Sequence, residues 1–442
     1  MTDRDAPSAP DQGRRQVPRR DLATLVPAKR NPLGILERQN SARLQDLVPL
    51  RIERMSASPF AFYRGTAAIM AADQATDPHS GILVASCGDA HLSNFGLYAS
   101  PQRALMFDLN DFDEAAWAPW EWDVKRLVTS VVIGGRATDR NGSVVEAAAR
   151  GAIEAYVDAL RSAAKLTPLE RFYTHFDPRA ALHSDTRFAK MLRVTIKDAE
   201  RRTGTRAAFR LTEPISDGSR RFLAVPPAMT HLDAGQLGQI QSDFEQYRRS
   251  AYVDVRALLS QYNLDDIARR AVGVGSVGTR CFVALLRDRD GGLLILQVKE
   301  AGRSVLEEFG CIPQPPTVEE DIAAAGQGSR VVGLQRILQA FSDPFLGYIR
   351  RSTHDFYVRQ FHDMKGSVEV EGLDDKAFVA YAAVCAKVLA RAHSQSPRFR
   401  DVVDYIGKGR RIADSLLTWG YEYAEVSRGD YEAFLAVHRD EG

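Results

Sequence analysis

The chain has 442 residues, 45% of them apolar and 26% charged, with 58 Lys and Arg against 57 Asp and Glu for a net charge of +1. That balance argues against a nucleic-acid-coating protein and an acidic scaffold, and the composition is that of a folded globular chain. Cys87, Cys281, Cys311 and Cys385 are too far apart for a zinc finger or a disulfide framework. No apolar run reaches the ~18 residues of a membrane span, and the N-terminus lacks the apolar stretch of a signal peptide. A cytoplasmic location is the resulting expectation, with no membrane and no nucleic acid as partner.

Residues 1–40 carry Arg14, Arg15, Arg19 and Arg20 among prolines and read as a solvated basic leader. A helical pattern then runs through Ser58-Pro59-Phe60-Ala61-Phe62-Tyr63-Arg64-Gly65 to an alanine-rich stretch ending near Gln74. Residues 82–86 form a short buried strand, and residues 87–94 the loop after it. Residues 95–99 and 103–109 make a hairpin turning at Ser100-Pro101-Gln102. Helix returns at 122–133, and residues 140–265 are mostly helical, with breaks near Asp177-Pro178, Asp217-Gly218 and Pro226-Pro227. Strands at 281–287 and 293–299 flank the turn Asp288-Arg289-Asp290-Gly291-Gly292. A helix at 330–341, a strand at 355–361 and a helix at 375–393 follow.

The loop Gly88-Asp89-Ala90-His91-Leu92-Ser93-Asn94, with Asp108, Asp111 and Asp113 beyond it, crowds acidic groups that repel one another unless a cation offsets them. Mg²⁺ suits such a set, since it takes one or two carboxylates, a carbonyl-type oxygen and phosphate oxygens. An Asp five residues before an Asn lets the carboxylate face an attacking hydroxyl while the amide reaches the metal.

The string from Cys87 to Asn94 resembles the H-G-D-x-H-x-x-N catalytic loop of aminoglycoside and choline kinase-type phosphotransferases, with Gly88, Asp89, His91 and Asn94 in register and Cys87 in place of the first His. The resemblance implies Asp89 as base or hydroxyl orienter, His91 beside it in the catalytic loop, and Asn94 as a metal ligand. Two carboxylates compete as second ligand. A hairpin turning at Pro101-Gln102 sets Asn94 across from about Leu109 and favours Asp108. The family's spacing, counted back from Asp123, gives 123 − 12 = 111 and favours Asp111. Asp123, near Lys125 and Arg126, then resembles the buried Asp that braces the loop, with Arg126 in support.

Gly273-Val274-Gly275-Ser276-Val277-Gly278 is a G-x-G-x-x-G between two strand patterns, where a dinucleotide fold needs a helix directly after it. It resembles the phosphate-covering loop of protein-kinase-like folds, with Gly273, Gly275, Ser276 and Gly278 against the nucleotide. Lys299, at 299 − 278 = 21 residues beyond the last glycine, ends an apolar strand and is suited to the α- and β-phosphates. Its usual helix-borne Glu is missing: Glu307 and Glu308 are close in sequence, and the 330–341 helix offers Gln335. The strand with Arg359 and Gln360 reads as the hinge meeting adenine.

In kinases the glycine loop precedes the catalytic loop, and here it follows by about 180 residues, counted from Asp89 to Gly273. Joining the region after His393 to the strand at Ile82 restores the order, which points to a circular permutation. The chain from about Leu47 is also identified as similar to the bacterial "domain of unknown function 2252" family. This rests on Arg51-x-x-Arg54-Met55, the string from Ser58 to Gly65, Gly88-Asp89-Ala90-His91, Asn110-Asp111-Phe112-Asp113-Glu114, Trp122 to Leu127 and Tyr357-Val358-Arg359-Gln360. Arg64 is a candidate phosphate or acidic-substrate contact.

The expectation is an α+β, protein-kinase-like two-lobe fold, circularly permuted, with a small antiparallel β lobe and a larger, mostly helical lobe. Its parts are a leader (1–40), a helical lobe with the catalytic loop and metal hairpin (41–265), a β-rich nucleotide lobe (266–372) and C-terminal helices (373–442). The expected activity is ATP- and Mg²⁺-dependent phosphoryl transfer to a hydroxyl acceptor, whose recognition surface is looked for in 140–265. AMP transfer and a non-catalytic nucleotide sensor are the alternatives.

Overall fold

Proline and short polar residues set the helix starts around the site. Ser58 accepts the N–H of Ala61 at 3.0 Å with Pro59 in the first turn, and Asp374 accepts that of Ala377 at 3.0 Å to open Asp375–His393. A computed structural model describes residues 17–26, 29–179, 187–216, 218–232, 238–271, 273–361 and 366–438. Arg14, Arg15 and Asp217 lie outside these residues. The chain is α+β, 53% helical and 16% strand, with antiparallel sheets.

The strands in chain order begin with β1 (Leu83–Ser86), β2 (Phe95–Ala99), β3 (Leu105–Leu109) and β4 (Ala116–Pro119). Next come β5 (Thr212–Pro214), β6 (Arg220–Phe222), β7 (Met229–His231), β8 (Tyr262–Arg270), β9 (Cys281–Asp288) and β10 (Leu293–Ala301). The last are β11 (Gly347–Ile349), β12 (Asp355–Gln360) and β13 (Gly366–Ser367). The largest sheet has the order β11-β12-β10-β9-β8-β7 and is antiparallel throughout. Alternation along β9 and β10 sends Leu286 and Leu296 to one face and Val283, Leu285 and Ile295 to the other, and each face carries its own small apolar cluster. A boundary at 265/266 falls inside β8, so the sheet begins earlier in the chain than its composition suggests.

The main core lies elsewhere, under the helices Trp120–Ala137, Gly142–Ala163, Asp375–His393 and Arg410–His438. Trp120–Ala137 is buried on every side from Trp120 to Gly135, as a helix in the centre of a protein must be. Its four charged residues in that stretch are all matched. Glu121 takes the Ser80 hydroxyl at 2.8 Å, Asp123 takes backbone N–H groups, and Lys125 lies 4.4 Å over the Trp419 ring and 4.0 Å from Asp77. Arg126 pairs with Asp89. Unmatched charges there would cost several kcal/mol each.

Part of the stretch 1–40, expected as a solvated leader, is folded. Arg19–Ala23 form a 3-10 helix with Leu22 fully buried in the main core, and Pro32–Ser41 form an α-helix. Arg30 forks onto Asp73 and Asp430 at 2.7 Å each, tying this segment to the C-terminal helix. Among the described residues, no helix is long and apolar enough to cross a membrane.

Candidate active site

The loop after β1 turns at Gly88, where φ is +78°, and a β-carbon there would stand 2.1 Å from the Glu114 carbonyl oxygen. Only glycine fits. Asp123 accepts the N–H of Cys87 at 2.8 Å and of Gly88 at 3.0 Å, holding the loop's backbone from within the central helix. Asp123 is fixed in turn by His393 Nε2 at 3.2 Å, and His393 Nδ1 meets the Tyr156 hydroxyl at 2.8 Å. The chain is thereby pinned to a residue 270 positions away.

Asp89 receives Arg126 Nε at 2.9 Å, and Arg126 lies 3.9 Å over the Tyr63 ring. The guanidinium is therefore fixed by stacking and by the Tyr63 carbonyl at 2.7 Å, and it sets the carboxylate's direction. His91 Nε2 is 3.6 Å from Asp89, and its Nδ1 is buried without a hydrogen-bond partner among the described residues. Burial pushes the imidazole down to about 4, so it is neutral near pH 7.

Asn94 donates its amide to the carbonyl oxygens of Asp89 (3.0 Å) and Asp111 (3.1 Å). Both donors are committed, which fixes the amide's orientation and leaves Oδ1 buried with no partner among the described residues. The β2–β3 register explains which carboxylate stands near it. Phe95 pairs with Leu109, and Asn110 N–H reaches the Asn94 carbonyl at 3.0 Å, so Asn94 faces Asn110 rather than Leu109. A slip of one residue exchanges the faces of a strand. Asp108 is turned away, accepting the N–H groups of Leu109 and Ala340 at 2.9 Å each. Asp111 lines the cleft, and Asp108 is not among its lining residues.

Lys299 stands in β10 between Cys281 of β9 and Tyr357 of β12. Its ammonium donates to Asp111 at 3.1 Å and to Asp113 at 2.5 Å. Burial alone would lower its affinity for protons, yet the Asp111 and Asp113 carboxylates outweigh that and hold the lysine well above its ordinary value. Tyr357 donates to the other oxygen of Asp113 at 2.5 Å, and Ser276 reaches Asp113 at 3.4 Å. The partner of the lysine thus lies on the acidic loop, whereas Glu307 pairs with Arg303 and Gln335 donates to Gln339.

The glycine loop joins β8 to β9, and Arg54 holds its Gly273 carbonyl at 2.6 Å. Gly278, expected to face the ligand, packs against Arg43 instead, and its carbonyl accepts Leu44 N–H at 2.8 Å. Arg359 bridges Gln297 at 2.9 Å and the Asn110 carbonyl at 3.0 Å, and the Gln360 N–H is taken by Asp343. Asp89, His91, Asn94, Asp111, Gly273, Gly275, Ser276, Lys299, Arg359, Gln360 and Arg64 all border one cleft of about 650 Å³. Asp123 and Arg126 lie behind it.

Sequence reasoning missed Asp113 as the lysine's partner, Tyr357, His393 and Arg330. Arg330 is buried and donates to the carbonyls of Ala115, Asp113 (3.0 Å) and Gly302 (2.9 Å), clamping the acidic loop to the end of β10. With no carboxylate partner it carries no pairing signal in the sequence. Among the described residues, no three His, Cys, Asp or Glu side chains are grouped to hold a metal ion. A cation on Asn94 and Asp111 would draw its further oxygens from a ligand.

These features define an α+β protein with one polar cleft between a glycine loop, a buried lysine and an acidic loop. The chain belongs to the family described as uncharacterized protein conserved in bacteria, DUF2252, whose profile matches residues 43–437. Comparisons with curated proteins and with solved structures gave no match.

Proposed function

We propose that this protein is an ATP- and Mg²⁺-dependent phosphotransferase with a circularly permuted, kinase-like two-lobe fold. The observation that carries the reading is that Asp89, Asn94, Asp111 and Lys299, from distant parts of the chain, border the same cleft beneath the glycine loop. The glycine loop lies in the β8–β9 connection, the lysine is on the next strand, and the two strands are neighbours in one sheet, the arrangement used for nucleotide phosphates in kinases. The permutation is supported by Ala85 of β1, whose N–H reaches the Ser396 hydroxyl at 2.9 Å, just beyond the helix ending at His393.

In this reading the backbone at Gly273 and Gly275 and the ammonium of Lys299 bind the ATP phosphates. Asp89, held by Arg126, orients the acceptor hydroxyl and takes its proton as the oxygen attacks the terminal phosphorus; the bond to ADP breaks. The orphan Oδ1 of Asn94 and the Asp111 carboxylate fit Mg²⁺, which when bound neutralises phosphate charge. Rate acceleration then comes from positioning and electrostatics rather than covalent chemistry.

The test is isothermal titration of ATP with and without Mg²⁺. Binding that requires the metal supports the proposal; metal-independent binding, or none, overturns it.

A further inference from the structure

A second cavity, of about 160 Å³, adjoins the cleft. The two share Arg64, Asp89, Asn94, Asp111, Gly275 and Ser276, so the proposed reacting groups form their common wall. Lys299, Arg359 and Gln360 border only the larger cavity. The smaller one is also lined by Gln39 and Arg43 from the N-terminal segment, by Asp113 and Glu114 of the acidic loop, and by Glu300 and Arg303 at and just beyond the end of β10. Among the described residues of 140–265 none borders it, although the acceptor surface was expected there.

Its charges are unevenly satisfied. Asp89 has Arg126, Asp111 and Asp113 share Lys299, and Glu300 has Arg280 at 3.2 Å. Glu114 accepts the Val305 N–H at 2.8 Å, and Arg303 is engaged by Glu307. Arg43 and Arg64 differ: Arg43 Nη1 donates to the Val277 carbonyl at 2.5 Å, yet each arginine has a buried Nε with no hydrogen-bond partner among the described residues. A buried N–H without an acceptor costs about 1–3 kcal/mol, which an incoming anion relieves.

We propose that the small cavity is the acceptor subsite and takes a compact hydroxyl compound bearing a carboxylate or phosphate, with its anionic end on Arg43 and Arg64 and its hydroxyl toward Asp89. The assignment rests on the phosphotransferase reading. It is directional: the nucleotide enters from the side of Lys299 and the acceptor from the side of Arg43. Phosphoryl transfer makes one O–P bond to the acceptor and breaks the bond to ADP, and the hydroxyl proton passes to Asp89. The volume falls below the ~300 Å³ at which drug-sized sites begin, which suits an acceptor of a few carbon atoms.

The experiment is calorimetric titration of the full chain, without nucleotide, with glycerol 3-phosphate and separately with glycerate. At least one of them binds saturably, and Arg64→Gln weakens it about tenfold or more, with Arg64→Lys between the two. Arg54→Gln, which changes a residue bordering only the larger cleft, weakens the anion less than Arg64→Gln. Failure of both anions to bind, an unchanged affinity in Arg64→Gln, or an equal loss in Arg54→Gln overturns the assignment. A parallel titration with MgATP separates the two proposals. Protein that binds MgATP but neither anion rejects the acceptor subsite alone, and protein that binds an anion but not MgATP rejects the phosphotransferase. Thermal melts of each variant establish that it is folded.

Discussion

The Lys299 ammonium lies 3.1 Å from the Asp111 carboxylate, 188 positions earlier in the chain, and joins the six-stranded sheet to the acidic loop. Asp113, two residues on, takes the same ammonium. Without the lysine the two carboxylates lose their shared ammonium, and the loop Gly273 to Gly278 offers no positive side chain in its place.

Lys299→Met therefore removes a buried cation that pairs with both. The expected loss of stability is about 3 kcal/mol, the low end for breaking a buried pair because Asp111 is partly exposed. Adding Asp113→Asn recovers part of that stability but no nucleotide binding. Urea denaturation and ATP titration of the single and double variants check this; recovery of both properties together would contradict it.

Asp89→Asn keeps the shape of the site and removes the proton acceptor. Turnover is expected to fall by roughly 10²–10⁴, the usual share of a general base, while MgATP affinity stays within a fewfold of wild type. Measured product formation beside calorimetric affinity distinguishes this from a structural role, in which both decline.

His91 gives the site a pH signature. Its imidazole is held at about 4 against an ordinary value near 6.5, so the unfolded chain binds the proton more readily. Stability from the neutral ring is fully present above about pH 6.5 and is lost as pH falls toward 4, by up to about 3 kcal/mol. Glu114 acts oppositely: burial raises its carboxyl to about 7, and its contribution, complete below about pH 4.5, fades as pH rises through 7. His91→Gln should flatten the difference in stability between pH 6.5 and 4, measured by urea denaturation at several pH values. An unchanged slope would contradict this, since it would show that the imidazole binds its proton equally well in the folded and unfolded chain.

His393→Ala takes one partner from the buried Asp123 and leaves the Tyr156 hydroxyl unmatched. A cost of about 1–3 kcal/mol is expected, and turnover falls more than MgATP affinity, because the loop bearing Asp89 loosens while Lys299 is untouched. Tyr156→Phe removes only the outer hydrogen bond and costs about 1 kcal/mol. Thermal melts and kcat measurements check the order of the two variants.

Local signals in the sequence carried the strands and turns near the site. The apolar run before Cys87, the Asp288 to Gly292 turn and the glycine loop between two β patterns each have a short-range cause, and each lies in the fold where its pattern puts it. The hairpin at Pro101 was legible as a hairpin, but its register was not. One residue of uncertainty in a turn decides whether Asp108 or Asp111 stands near Asn94. Lys299 stood out because an apolar strand ending in lysine calls for an anion, yet its partner lies on a loop in another part of the chain. Arg330 and His393 left no trace, since backbone carbonyls and a carboxylate 270 positions away do not recur at any readable spacing. The basic N-terminal stretch misled by composition: buried Leu22 and the Arg30 pairs with Asp73 and Asp430 anchor it, and such scattered residues make no periodic pattern.

The most direct measurement is a crystal structure of the full chain with Mg²⁺ and a non-hydrolysable ATP analogue. The account predicts phosphate oxygens on Lys299 Nζ, the ion on Asn94 Oδ1 and Asp111, and the terminal phosphoryl group facing Asp89. A nucleotide bound away from this cleft, or none bound while Lys299 keeps only Asp111 and Asp113, would contradict it.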